Sequence, residues 1–189
     1  MPFVTEGTMR ATTIGRNDDW GTPQALFDAL DGEFRFDVDV CAHEGNRKCE
    51  TYWTLEDDGL AQDWTGKRCF MNPPYGRTIG AWVRKAADSA SEGGGTVVVG
   101  LLPCRTDAKW WGDVMRASEI RLIRGRLRYS DGPQAAPFPS CIVVWGTQRV
   151  PVIRWVDPGE VRCPQAITLA RRGRACPTQR IPDAPGASG

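Results

Sequence analysis

The sequence predicts an α/β domain: a mostly parallel central sheet with an antiparallel hairpin at its C-terminal edge. Three observations predict it. Stretches of strand length alternate with stretches of helical periodicity over the first two-thirds of the chain, as strand–helix–strand crossovers require. Thr96 to Leu102 is a nearly unbroken apolar run, the signature of a strand buried on both faces. The last apolar runs then follow one another without a helix between them, which calls for antiparallel pairing.

The chain of 189 residues suits one domain, and 41% hydrophobic residues suffice for a core. Wholesale disorder is excluded on that composition. Lys and Arg (24) nearly balance Asp and Glu (23), and the net charge of +1 points to no partner by itself. No apolar run reaches the roughly 20 residues of a membrane span, and no signal-peptide core opens the chain. Seven cysteines are an odd number without C-x-x-C spacing, and His43 is the sole histidine. A disulfide scaffold and a His-rich zinc site are thereby excluded, and Ser-His-Asp catalysis lacks a nucleophile motif near His43. The expectation is a metal-free cytoplasmic protein with no membrane contact.

Residues 1–19 lack periodicity and are expected to form a flexible arm. Thr22 is the expected N-cap of the first helix and Pro23 its first residue, with Leu26, Phe27 and Leu30 on one face. Phe34 to Val40 alternates apolar and polar and predicts a strand. Residues 43–63 are polar and irregular, and Cys69–Met71 is a short strand. Ile79 to Ala90 predicts a helix closed by Gly93–Gly95, and Asp107 to Ala117 a second one. Ile120–Ile123, Leu127–Tyr129 and Cys141–Trp145 are further strand candidates. The domain spans 20–156. Beyond it, 157–189 is rich in Pro, Gly and Arg and is expected to be a disordered basic tail.

The segment Asn72-Pro73-Pro74-Tyr75, directly after a short buried strand, carries the most chemistry. Two prolines fix φ and remove two donors, so the turn is stiff and offers its carbonyls outward. The end of a parallel strand is where open α/β sheets bind ligands. There the Asn72 side-chain oxygen and the Pro73 carbonyl can accept the two protons of one exocyclic amine, while Tyr75 stacks on its ring. That geometry favours the pyramidal nitrogen needed to attack a methyl sulfonium, without a strong base. The bland alternative is a structural Pro-Pro turn.

The motif in its context resembles S-adenosylmethionine-dependent amino-methyltransferases, most closely the phage DNA N-6-adenine methyltransferases of the Dam type. Besides Asn72–Tyr75, the resemblance rests on Trp20-Gly21-Thr22-Pro23, Asp37–Ala42, Asp58–Leu60 with Asp63-Trp64, Leu102–Asp107, and Ala136–Ser140 before Cys141–Trp145. It covers residues 18–146 and implies a Rossmann-like methyltransferase fold. It further implies catalysis by Asn72, Pro73, Pro74 and Tyr75, with S-adenosylmethionine at Trp20, Thr22, Pro23, Asp39, Cys41, Asp63 and Trp64. One departure stands out: after Ala42 the chain runs His43-Glu44-Gly45-Asn46, where such enzymes have a Gly-rich turn.

Duplex DNA, with one adenine flipped out, is the partner the resemblance implies. Arg121, Arg124, Arg126 and Arg128 form a run of positive charge, joined by Arg105 and Lys109, and are candidate phosphate contacts. Solvation of a surface is the plainer role for such a run. Phe138, rigid between Pro137 and Pro139, is the candidate to stack on the base opposite Tyr75. Adenine N6 in DNA is the expected target, in a bacterial or phage-infected cytoplasm. The same motif also serves N4-cytosine, RNA-adenine and protein glutamine-amide methylation, and a catalytically inactive DNA-binding module would preserve the fold.

Overall fold

The computed structural model describes residues 20–131, 134–147 and 151–158. The expected arm (1–19), and the expected tail from 159 onward, lie outside the described residues. The elements in order are α1 (Gln24–Phe34), β1 (Val38–Asp39), β2 (Arg68–Met71), α2 (Ile79–Ser91), β3 (Val97–Pro103), α3 (Trp111–Val114), β4 (Glu119–Ile123), a 3-10 turn (Tyr129–Asp131), β5 (Ser140–Trp145) and β6 (Val152–Val156).

Six strands form one sheet in the order β1-β2-β3-β5-β4-β6. β1 with β2, β2 with β3, and β4 with β6 are parallel, while β5 runs antiparallel to both its neighbours. The α/β class and the mostly parallel sheet are as expected. The antiparallel strand, however, sits inside the sheet instead of forming its edge. All six β5 residues are buried, and a segment without a polar face needs neighbours on both sides. The edge belongs to β6, which the sequence reading did not recognise as a strand; Val152, Ile153 and Trp155 are exposed on it.

α1 buries Leu26, Phe27, Leu30 and Phe34, a helical spacing that extends one turn further than expected. Phe34 thus completes the helix instead of opening a strand. Arg35 then turns left-handed (φ 54°), its N–H bonding to the Asp31 carbonyl at 2.8 Å. β1 is consequently only two residues long. Thr22 is not the helix cap either: Pro23 holds that position in extended geometry, without a side-chain capping bond. α3 is one turn where a longer helix was expected, and Leu127 and Tyr129 reach the core from a loop and the 3-10 turn, not from a strand.

Arg121 is the clearest departure from the expected basic strip. It is fully buried on β4, bonding Glu33 of α1 at 2.8 Å and Glu119 at 2.9 Å. Glu119 also accepts from Arg154 of β6 at 2.6 Å. Burial alone would lower the Arg121 basicity, but the Glu33 and Glu119 carboxylates outweigh it and raise it. This network pins α1 and β6 to the sheet; removing one partner of such a set costs about 3–5 kcal/mol. Among the described residues no helix is long and apolar enough to cross a membrane.

Candidate active site

β2 delivers the Asn72–Tyr75 turn to the end of the sheet. The Asn72 amide nitrogen donates to the Trp20 carbonyl at 2.6 Å and to the Thr22 hydroxyl at 2.9 Å. A main-chain carbonyl can only accept, so the orientation of the amide is fixed. Its oxygen, Oδ1, is buried and has no hydrogen-bond partner. Leaving such a group unmet costs about 1–3 kcal/mol. Gly21 makes this docking possible. A Cβ there would stand 2.7 Å from the Ser130 hydroxyl, and its carbonyl accepts from Ser130 N–H at 2.6 Å.

Tyr75 is buried, with its hydroxyl 3.0 Å from the Leu101 carbonyl and 3.1 Å from the Tyr129 hydroxyl, which in turn meets the Ser140 hydroxyl at 3.0 Å. Burial pushes the Tyr75 phenol well above its ordinary value, so it stays protonated and offers a ring, not a base. Phe138 lies edge-on to this ring at 5.6 Å and 74°, and edge-on to Trp20 at 5.1 Å. A base between two parallel rings needs two contact gaps, about 7 Å in all. Tyr75 and Phe138 thus meet edge-on, not as a parallel pair with a base-wide gap between them.

Beside the turn opens a crevice of about 330 Å³, walled chiefly by Trp20, Cys41, Asp58, Pro73, Pro74 and Trp82. Asp39 stands behind this wall. It is buried and accepts from the Lys48 N–H at 3.1 Å, with the Cys41 N–H at 3.5 Å. Burial pushes its carboxyl up to about 6, against the pull of those two backbone donors. The loop it braces is capped by a side chain: Asn46 Oδ1 accepts from His43 N–H at 2.8 Å, and Asn46 N–H donates to the His43 carbonyl at 3.0 Å. The departure noted in the sequence, His43-Glu44-Gly45-Asn46, is thus a polar turn closed by its own side chain. The Cys41 thiol is raised well above its ordinary value by burial and remains neutral.

Of the expected cofactor residues, Trp20 and Cys41 line the crevice, and Thr22, Pro23, Asp39, Asp63 and Trp64 do not. Asp63 is exposed, and its carboxylate accepts from the Thr65 N–H at 2.9 Å. Trp64 is buried behind Trp82, its Nε1 donating to the Gly59 carbonyl at 2.9 Å. The acids and the tryptophan of this region that do line the crevice are Glu56, Asp58 and Trp82. The signal for Asp58 was its neighbour: a Cβ on Gly59 would collide with the Val40 carbonyl oxygen, so only glycine lets this loop close over β1. Thr22 touches Asn72 rather than the crevice, and Pro23 is buried beside it. Arg105, Lys109, Arg126 and Arg128 are all exposed. Among the described residues no group of three or more His, Cys, Asp or Glu is arranged to hold a metal.

Comparison with known proteins places these features in context. The DNA N-6-adenine-methyltransferase of Haemophilus phage HP1 is 36% identical over 119 residues, 61% of this chain and 68% of that protein. The enzyme of the same name from Escherichia phage T1 is 30% identical over 113 residues, 58% of this chain and 46% of that one. A putative methyltransferase, YfdM of Escherichia coli, is 37% identical over 65 residues, 31% of this chain and 71% of its own length. The crystal structure of a predicted O-methyltransferase from Agrobacterium tumefaciens matches 67% of this chain and 56% of its own, at 18% identity and a TM-score of 0.30. The model of the family described as DNA N-6-adenine-methyltransferase (Dam) matches residues 10–152, and with that span, the strand-end Asn72–Tyr75 turn and the phage relatives agreeing, the chain belongs to this family.

Proposed function

We propose that this protein transfers a methyl group from S-adenosylmethionine to the N6 amine of an adenine flipped out of duplex DNA. The observation that carries the reading is the buried, unpartnered Oδ1 of Asn72 on an amide fixed by Trp20 and Thr22. A buried acceptor left open at a strand end is suited to a donor that arrives with the substrate. The exocyclic amine of adenine is such a donor.

Asn72 Oδ1 takes one proton of that amine in a hydrogen bond, and the Pro73 carbonyl takes the other. Pulling both protons to one side of the ring plane withdraws the nitrogen lone pair from the ring and aims it at the crevice. The prolines keep the two acceptors from relaxing toward the planar ground state, so their binding is strongest as the nitrogen pyramidalises. Bound in the crevice, S-adenosylmethionine supplies an electrophilic methyl group. Trp20, Cys41 and Trp82 offer it apolar walls, and Asp58 an acceptor. Asp39 acts at one remove, keeping the 43–47 loop in place. Arg105, Lys109, Arg126 and Arg128 are the proposed phosphate contacts, and residues 20–156 the proposed catalytic unit.

The test is to incubate the protein with cofactor labelled in its methyl group and unmethylated DNA, digest to nucleosides and separate them. Label in N6-methyladenine is expected. Label in N4-methylcytosine, or in no nucleoside at all, overturns the reading.

A further inference from the structure

We infer that the groove between α2 and α3 holds the DNA backbone flanking the flipped adenine; this rests on the reading of the protein as a DNA methyltransferase. The groove encloses about 690 Å³ and adjoins the active-site crevice, with Leu60 on its wall and Gly59 on that of the crevice. Arg77, Arg84, Lys85 and Lys109 line it, with Trp110 between them.

The charge of this groove is not cancelled locally. Its two acids are engaged: Arg116 bonds Asp88 at 2.7 Å and Asp113 at 3.2 Å, and Arg84 approaches Asp113 at 3.6 Å. Arg77, Lys85 and Lys109 form no ion pair among the described residues, although Lys85 lies 5.8 Å from the Trp64 ring centroid. Counting Arg116, five cations meet two acids, a local surplus of three positive charges in a chain whose total is +1. A nearly neutral protein that binds DNA must concentrate positive charge somewhere, and this groove is one place where the described residues do so.

Position and shape agree with a backbone track. Arg77 lies two residues past Tyr75, at the mouth of the catalytic turn. Arg77 precedes α2, and the five steps from Ile79 to Arg84 rise roughly 7.5 Å along it, about two phosphate steps of one strand. Gly80 of α2 packs against the Trp110 side chain across the groove, 3.4 Å separating a Cβ built there from the Trp110 Cβ. An open channel of cations suits an extended polyanion better than a compact anion, which would be met from only one side.

The experiment is fluorescence anisotropy of a labelled, unmethylated duplex from 50 to 200 mM salt, with the demethylated cofactor product present. The proteins compared are wild type, Arg77→Ala/Lys109→Ala, and the charge-keeping Arg77→Lys/Lys109→Arg. The alanine pair should lower the log–log salt slope by about 1.8, at about 0.9 per lost phosphate contact. The charge-keeping pair should restore it, and both should melt like wild type. DNA binding and methylation with an unchanged slope in the alanine pair would overturn the groove and leave the methyltransferase reading standing. A wild-type protein that neither binds nor methylates DNA would overturn that reading, and the groove with it.

Discussion

Replacing Asn72 with alanine removes three things at once, and the structure gives each a size. The Trp20 carbonyl and the buried Thr22 hydroxyl lose their donor, at about 1–3 kcal/mol for each group left unmet. Against this, the unmet Oδ1 disappears as well, which returns a similar amount. The net loss of stability should be about 1–2 kcal/mol, several degrees of melting temperature for a domain of this size. The loss in catalysis should be larger. An acceptor that tightens only as the amine pyramidalises acts on turnover, and removing one preorganised partner of this kind costs about 10²–10³ in rate. The assay is kcat with saturating cofactor and DNA, well below the melting temperature, beside calorimetric affinity for the demethylated cofactor product. Turnover should collapse while that affinity stays near wild type. Thr22→Val keeps the volume and the Trp20 contact but removes one acceptor, and its turnover should fall only a few-fold. An Asn72→Ala protein working within tenfold of wild type would refute the assignment of the amine to Asn72.

Three further outcomes follow from the same geometry. The Asp39 carboxyl is pushed up to about 6 in the folded protein from 3.8, so the folded state keeps its proton to higher pH than the unfolded one. Stability should therefore fall as pH rises from about 4 to about 6, by about 3 kcal/mol at most, and Asp39→Asn should flatten the fall; urea titrations at the two ends of that range check it, and a flat wild-type profile would refute it. Phe138→Ala should lower the melting temperature, since three ring contacts worth about 0.5–1.5 kcal/mol each are lost. The same variant should still give the fluorescence gain of 2-aminopurine at the target position, because Phe138 packs edge-on among Trp20, Tyr75 and Tyr129; an unchanged melting curve with lost fluorescence would instead make Phe138 the stacking partner. Tyr75→Phe removes hydroxyl bonds but keeps the ring, so it should cost about 1 kcal/mol of stability and little turnover, as thermal melts and kcat will show.

What could be read from the sequence was what depends on neighbours in the chain. The Thr96–Leu102 run, the helical spacing of Ile79, Val83, Ala86 and Ala87, and the Asn72–Tyr75 turn all have local signatures, and all appear where expected. What failed depended on distant partners. Arg121 looked like part of a surface strip because one of its two carboxylate partners, Glu33, stands 88 positions away; the other, Glu119, lies two positions back on the same face of β4. Two strong patterns competed over Phe34, and the helical face won because Leu26, Phe27 and Leu30 were already committed to it. Asp63 was the acid expected to meet the cofactor, whereas Glu56 and Asp58 line the crevice, and polarity does not distinguish these loop acids in the sequence. Only the collision a side chain at Gly59 would make with Val40 reveals which part of the loop closes inward.

The bond from Asn72 to Trp20 joins positions 52 apart, and its acceptor is main chain. No replacement of the Trp20 side chain can delete that carbonyl. A scan of side chains at this position therefore reports only the ring, with its contacts to Tyr129, Phe138 and the crevice, and is blind to the carbonyl. The vulnerable quantity is where the chain before α1 runs. A cut, a fusion or an insertion that shifts residues 20–22 by an ångström would release the Asn72 amide from both acceptors, at about the 1–2 kcal/mol expected for Asn72→Ala, while leaving the sheet in place.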